Sequence, residues 1–389
     1  MPMLSLQDIV GQDKAVGHLL RSLAGERMPH AFLFAGPAGV GRRTTATALA
    51  ATLLCPNRAE AQPSLLASKS APPPPQPCGT CTDCRMLAAG THPDFNLVYK
   101  ELAAYHEDSK VRDRKMQAMS IDVVRSFLIA PACQAPTRAT GKVFVVLEAD
   151  LMSPEAQNSL LKTLEEPPDG VTIILISQRP EQLLPTTLSR CAMIRFGPLP
   201  HEFVTGKLVE GGMDAQEASF WAALTNGSLG RSSRLSAQGL FPVKRNLLSH
   251  IAAADAADQE GLGEFLIQTS DKLAVAVVKE SKKADGSEMA KTLATRQVTG
   301  TLLELIASAF GDALHLRCRA DAGQPPSSLI HADQPQPIEA LASNFTPRQL
   351  ADILEQLSEY ERLLWRNVNP KTVWDNVAIT CLWAAPLVL

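Results

Sequence analysis

The sequence predicts an α/β fold, a parallel sheet covered by helices on both faces, followed by an all-helical remainder. Three observations carry this. Short apolar runs, Ala31-Phe-Leu-Phe-Ala35, Val143-Phe-Val-Val-Leu147 and Val171 to Ile176, recur between stretches of helical spacing, as in strands buried on both faces. A glycine-rich loop joins the first run to a helix. Past about Pro200 the strand-like runs stop and helical periodicity continues.

Gln12 to Ala24 places Ala15, Val16, Leu19, Leu20 and Leu23 at helical spacing. Ala31 to Ala35 is the first strand, and Thr45 to Leu54 is the helix beyond the glycine loop. Asp94 to Tyr99 reads as a strand, Ile121 to Leu128 as a helix and Lys142 to Leu147 as a strand. Ser153-Pro154-Glu155 opens a helix, because serine caps orphan N–H groups and proline lacks the one that would be wasted. It runs through Leu160, Leu161 and Leu164 to Pro167-Pro168, and Val171 to Ile176 is the last strand read. Farther on, Thr346-Pro347-Arg348-Gln349 is a capping box ahead of Leu350, Ile353, Leu354, Leu357, Leu363 and Leu364, a core-facing helix. Lys279 to Gly286 and Ala320 to Gln336 are polar or contain proline and read as loops, and no internal repeat is present.

At 389 residues the chain is long enough for two or three domains, and 45% hydrophobic residues suffice for buried cores. A net charge of −3 argues against a dedicated nucleic-acid binder. Met1-Pro-Met-Leu-Ser-Leu-Gln-Asp8 lacks the basic flank and apolar core of a signal peptide, and the apolar runs are too short to span a bilayer. The expectation is a cytoplasmic protein without membrane association.

Eight cysteines fall into two groups. Cys55, Cys78, Cys81 and Cys84 are spaced C-x22-C-x2-C-x2-C, whereas Cys133, Cys191, Cys318 and Cys381 are scattered and read as inert buried thiols. Four clustered thiolates suit tetrahedral, structural zinc. Disulfides and a redox C-x2-C are the alternatives; the first fits a cytoplasmic chain poorly and the second normally opens a helix of a thioredoxin-like unit. A proline-rich insertion, 61–77 with Pro72 to Pro75, lengthens the first spacing at modest entropic cost.

Gly36-Pro-Ala-Gly39-Val-Gly41-Arg42-Arg43-Thr44-Thr45 follows the strand–loop–helix order of a P-loop, G-x-x-x-x-G-K-[ST]. In a working loop the lysine reaches the β/γ-phosphates and the next hydroxyl holds magnesium. Here Arg42 stands at the lysine position and Arg43 at the hydroxyl position, and an arginine cannot ligate a cation. Gly36, Gly39, Gly41, Arg42 and Thr44 form the candidate phosphate cradle, its occupancy by ATP in question. A Walker B element ends its strand with a magnesium-supporting aspartate and a water-polarising glutamate. The corresponding residues are Leu147 and Glu148, with Asp150 as a substitute only if the register slips. Glu148 and Asp150 could equally be solvated acids or partners of arginines. Loss of both magnesium contacts predicts no magnesium-dependent hydrolysis. Ser189-Arg190-Cys191 follows the last strand read. Its arginine is either a salt-bridge partner or a finger reaching a neighbouring subunit's ATP site.

Ile9-Val10-Gly11-Gln12, His30-Ala31-Phe-Leu-Phe, the glycine loop, the four cysteines, Thr91-His92-Pro93-Asp94, Asn158 to Pro168 and Ser189-Arg190-Cys191 together resemble bacterial clamp-loader subunits, AAA+ proteins of the DNA polymerase III holoenzyme. The resemblance covers residues 4 to about 235 strongly and is fainter beyond, where Asn367-Val-Asn-Pro370 is recognisable. Motor members, gamma/tau, keep G-K-[ST] and an Asp-Glu Walker B, so this chain is more similar to the delta-prime members. The proline-rich insertion departs from the family's shorter zinc module. The resemblance implies an AAA+ domain over 1–198 with a zinc module at about 55–84, a helical lid over 199–241 and a helical collar over 242–389. It implies a noncatalytic, rigid subunit of a pentamer with gamma/tau and delta, which opens the sliding clamp and loads it on primed DNA. Arg190 is then a trans-acting finger. Arg231, in Asn226-Gly-Ser-Leu-Gly-Arg231, matches the lid's sensor-2 element and reads as structural in a subunit without its own ATP. Two other classes stay open: an ATP-hydrolysing motor, which predicts magnesium-dependent turnover by the chain alone, and a zinc-containing DNA-binding module, which predicts salt-sensitive DNA binding.

Overall fold

The computed structural model describes residues 4–25, 28–58, 75–112, 118–254, 259–285, 291–321, 329–364, 366 and 368–382. It divides into two compact units, Met1–Pro200 and His201–Leu389.

The first unit is built on five parallel strands, β1 (Ala31–Ala35), β2 (Phe95–Val98), β3 (Lys142–Val146), β4 (Val171–Ser177) and β5 (Ala192–Arg195), in the order β2-β3-β4-β1-β5. The register sets Phe32 beside Ile174 on one side and Ala192 on the other, so β1 is an interior strand. Side chains alternate faces along a strand. Ala31 and Leu33, Phe144 and Val146, Ile173 and Leu175 therefore share one face, and they join a core with Leu160 and Leu164 of α4 (Pro154–Glu165). The other face meets α2 (Arg42–Leu54), whose alanines permit close approach to β3 and β4. Full burial of a residue such as Phe32, Phe34 or Phe144 stabilises the unit by about 1.5–3 kcal/mol each. This is the α/β sheet with a P-loop-like turn that the sequence predicts.

Most boundaries agree with the sequence reading within a residue or two. Gln12 precedes α1 (Asp13–Ala24) without a side-chain cap, and Ser153 Oγ accepts from Ala156 N–H at 3.2 Å with Pro154 at the first position of α4. Four readings need correction. Of the scattered cysteines read as buried thiols, Cys381 is buried and Cys191 partly so, but Cys133 and Cys318 are exposed. Val171 to Ile176 is not the last strand, because β5 follows the Ser-Arg-Cys triplet directly. Four residues with one arginine are too short to show periodicity, and pairing with β1 makes them a strand. Lys279 to Asp285 is helical, the end of Gln259–Asp285, because lysine, glutamate and alanine are good helix formers however polar the run. Within 320–336, residues 320 and 321 end a helix and Pro335 begins another, proline being tolerated in a first turn. Residues 322–328, most of the proline-rich insertion (61–74), Gly286 and Asn367 lie outside the described residues.

In the second unit the described residues form helices joined by turns, with no strand among them. Its core contains Trp221, Phe310 and Trp374, all nearly inaccessible. The expected capping box is present, with Gln349 N–H donating to Thr346 Oγ1 at 3.3 Å and Thr346 N–H to Gln349 Oε1 at 2.9 Å. Lys244 is wholly buried, paired with Asp333 at 2.5 Å and lying 4.3 Å from the Phe220 ring centroid. Burial draws its pKa down, with Asp333 opposing. No described helix is long and apolar enough to cross a membrane.

Candidate functional site

The glycine loop leaves the carboxyl end of β1, where parallel sheets present their binding crevices. A Cβ on Gly36 (φ 150°) would stand 2.4 Å from the carbonyl oxygen of Phe196, so only glycine allows the loop so close to the chain beyond β5. Gly41 caps α2 at φ 97°, a conformation that side chains strain to adopt. Gln12 braces the loop, donating from Nε2 to the carbonyls of Val40 (3.2 Å) and Gly197 (2.7 Å) and accepting from Gly197 N–H (3.1 Å).

Within this cradle the arginine at the lysine position turns inward. Arg42 is 7% exposed, and its Nη1 donates to the carbonyl of Ser177 at the end of β4. Burial lowers its pKa and the carboxylate of Asp150 opposes the shift. Asp150 also accepts from Gln178 N–H at 3.1 Å and lies 3.5 Å from Arg179 Nε. Arg43 and Thr44 are exposed, while the Thr45 hydroxyl donates to Gly41 carbonyl at 2.9 Å. Leu147 bonds through its backbone to Val98 and offers no side-chain oxygen. Glu148 sits at φ 50° and pairs with Lys100 at 3.0 Å, a left-handed conformation that costs energy in a non-glycine residue. The structure brings Asp150 near Arg42 and Arg179, in keeping with its reading as a partner of arginines. Ser177, the partner of Arg42, and Lys100, the partner of Glu148, come from other elements and carry no local sequence signal.

Ser189-Arg190-Cys191 forms the turn between the short helix Pro185–Leu188 and β5. Arg190 donates from Nε to Glu165 Oε1 at 2.7 Å, from Nη2 to the same oxygen, and from Nη1 to Thr186 carbonyl at 2.9 Å and Ser189 Oγ at 3.4 Å. Its side chain is 31% exposed. Burial pushes the Cys191 thiol up to about 12, leaving it protonated and unreactive.

The four clustered cysteines converge. Their sulfurs lie within 4.8 Å of one another, with Cys55–Cys81 at 3.9 Å and Cys78–Cys84 at 4.0 Å. Tetrahedral zinc with bonds of about 2.3 Å needs sulfurs about 3.8 Å apart, so the donor set fits that ion and is far too open for disulfides. N–H groups of Cys81 and Thr80 lower the Cys78 thiol to about 6, whereas burial raises Cys55 and Cys84. Cys81 caps α3 (Thr82–Ala88), accepting from Cys84 N–H at 3.4 Å. Cys55 caps the far end of α2. Behind the cysteines, Asp83 lies 3.3 Å from His92 Nε2 and accepts from Arg138 Nε at 3.1 Å. Burial would raise the Asp83 pKa, but Arg138 and His92 hold it below the usual carboxylate range. Asp94 accepts three backbone N–H groups, from Thr137, Arg138 and Ala139, at 2.7–2.9 Å. Thr91-His92-Pro93-Asp94 thus ties the cysteine module to β2, a role that the sequence motif alone did not disclose. In the helical unit Arg231 pairs with Glu304, a partly exposed contact internal to that unit.

Two family models match the chain: "DNA polymerase III, delta subunit" over residues 11–200 and "DNA polymerase III, delta subunit, C terminal" over residues 270–377. Among curated relatives, the DNA polymerase III subunit delta' of Pseudomonas aeruginosa is 34% identical over 242 residues, covering 59% of this chain and 65% of that protein. The delta' subunit of Bacillus subtilis is 28% identical over 215 residues, 55% of this chain and 56% of that protein. The tau subunit of Escherichia coli is 31% identical over 201 residues, 52% of this chain and 27% of that protein. The chain thus spans less than two thirds of the length of each of these relatives. By these matches, and with an α/β sheet that carries a P-loop-like turn, the chain belongs to the delta-prime family of DNA polymerase III subunits.

Proposed function

We propose that this chain is a noncatalytic clamp-loader subunit that supports placement of the sliding clamp on primed DNA and activates ATP hydrolysis in a neighbouring gamma/tau subunit. The observation that carries the reading is the inward turn of Arg42 onto the Ser177 carbonyl. The cation that would meet a nucleotide's phosphates is engaged within the chain, and neither Arg43 nor Leu147 can support magnesium. The cis pocket therefore has no route to neutralising charge between β- and γ-phosphates, on which phosphoryl transfer depends. Arg190, at a partly exposed turn, serves as the finger for the adjacent ATP site. Residues 1–198 form the AAA+ domain, 199–241 the lid and 242–389 the collar that joins gamma/tau and delta.

The cysteine cluster holds structural zinc through Cys55, Cys78, Cys81 and Cys84, four sulfurs without an open position for chemistry. Its contribution is folding energy in the module next to α2. Arg190→Ala, reconstituted with its gamma/tau and delta partners, tests the main reading. The complex should assemble normally while hydrolysis at the adjacent site, stimulated by clamp and primed DNA, falls by about 10³. Unchanged stimulated hydrolysis would refute the finger role. Magnesium-dependent hydrolysis by the purified chain alone would instead favour a motor, the reading suggested by the similarity to tau.

A further inference from the structure

An arginine that reaches another subunit must be held in one orientation beforehand, because both its long side chain and its charge are free to move. Arg190 is held by a specific set of contacts. A guanidinium has five N–H bonds. Two of them, on Nε and Nη2, converge on Oε1 of Glu165, the last residue of α4. The two on Nη1 face Thr186 carbonyl and Ser189 Oγ. One Nη2–H is left without a partner among the described residues. The other two contacts are local, to the Thr186 carbonyl in the short helix Pro185–Leu188 and to the Ser189 hydroxyl beside Arg190. Glu165 comes from a different element, 25 residues earlier in the chain, and is the contact that ties the finger to the rigid body of the sheet.

We infer that Glu165 is a positioning residue for the Arg190 finger, an inference that rests on the trans-acting role proposed above. Its carboxylate fixes the guanidinium plane before the neighbour arrives, which reduces the rotamer entropy lost when the finger engages. The same carboxylate partly neutralises the arginine's charge, so orientation and neutralisation act in opposite directions. Substitutions separate them. Glu165→Gln keeps an acceptor of the same reach and removes the charge. Glu165→Asp keeps the charge and shortens the reach by one methylene. Glu165→Ala removes both.

The full chain and each variant are assembled with the gamma/tau and delta partners, and steady-state hydrolysis is measured against ATP concentration with clamp and primed DNA present. Positioning predicts that Glu165→Ala and Glu165→Asp lower kcat about threefold to tenfold at unchanged KM, below the ~10² that a 1 Å misplacement can cost. Glu165→Gln should stay within about twofold of wild type on the same argument. Assembly and thermal unfolding should be unaltered in all three, which a merely structural role would not allow. Glu165→Ala should add nothing to Arg190→Ala. Wild-type kcat for Glu165→Ala, with Arg190→Ala still impaired, overturns the inference and leaves the finger intact. A rise in kcat for both Glu165→Ala and Glu165→Gln also overturns it, making Glu165 a competitor for the guanidinium. Wild-type activity for Arg190→Ala removes the finger and this inference together.

Discussion

Arg42 and Arg190 carry the same charge within the same α/β unit and meet opposite surroundings. Arg42 begins α2, is 7% exposed and donates to a strand-end carbonyl near Asp150. Arg190 lies in a turn at the β5 edge, with 31% of its side chain exposed and a half-exposed carboxylate for a partner. The first is surrounded by its own chain and acts as an internal strut. The second keeps access to solvent. Both have partners within the chain, so burial, not the motif position, is what distinguishes the two arginines.

The largest expected effect separates the two regions through the cysteine module and the zinc proposed for it. Cys55 caps the end of α2 opposite Arg42, so the module and the cradle share a helix, whereas the Arg190 turn does not. Removing zinc with a chelator should release the module, a folding contribution on the order of 10 kcal/mol. Hydrogen exchange should rise in residues 78–88 and at the end of α2, and stay unchanged at residues 185–195. Equal loosening at both places would erase the distinction.

Next comes Asp94, on the β2 side of the sheet. Asparagine has one carbonyl oxygen for the three N–H groups that the carboxylate accepts, so Asp94→Asn should cost about 2–3 kcal/mol in urea unfolding. Burial would raise the Asp94 pKa, but those N–H groups more than offset it and hold it below the usual value. Its stabilising contribution is therefore present above the unfolded pKa of about 3.9 and is lost as pH falls through the folded value. The acid limb of the stability profile should flatten in the variant, and an unchanged limb would assign the pH dependence elsewhere.

Arg42→Ala sharpens the contrast directly. It removes the guanidinium from the Ser177 carbonyl, which keeps Gly36 N–H, and from beside Asp150, which keeps Gln178 N–H and Arg179, and should destabilise the chain by about 1–2 kcal/mol. Stimulated hydrolysis in the assembled complex should be unaffected, the reverse of the signature expected for Arg190→Ala. The smallest effect is expected for Arg231→Ala. Its pair with Glu304 is 41% and 31% exposed at the two side chains, so its loss should cost no more than about 1 kcal/mol and leave hydrolysis unchanged. A fall in activity there would return Arg231 to a nucleotide-sensing role.

Much of this was legible in the chain because the relevant signals are local. The strands at β1, β3 and β4 are predominantly apolar runs, the Ser153 and Thr346 caps are short spacings, and the cysteine triplet converges because its members are neighbours. The strand β5 was not legible, since its four residues depend on pairing with β1. The polar end of the helix Gln259–Asp285 was misread because polarity was weighed above helix propensity. The partners of both arginines also escaped: Ser177 is 135 residues from Arg42, and Glu165 is 25 from Arg190.

The sequence by itself determined what this protein lacks and what it retains. Arg43 and Leu147 cannot ligate magnesium in any conformation, because their side chains have no oxygen. Four cysteines and a Ser-Arg-Cys triplet are present whatever the fold does with them. Only the tertiary structure decided that Arg42 turns onto a neighbouring strand while Arg190 lies against Glu165 at a partly open turn. Side-chain direction depends on burial and on hydrogen-bond partners brought from distant segments, and these exist only once the sheet has formed.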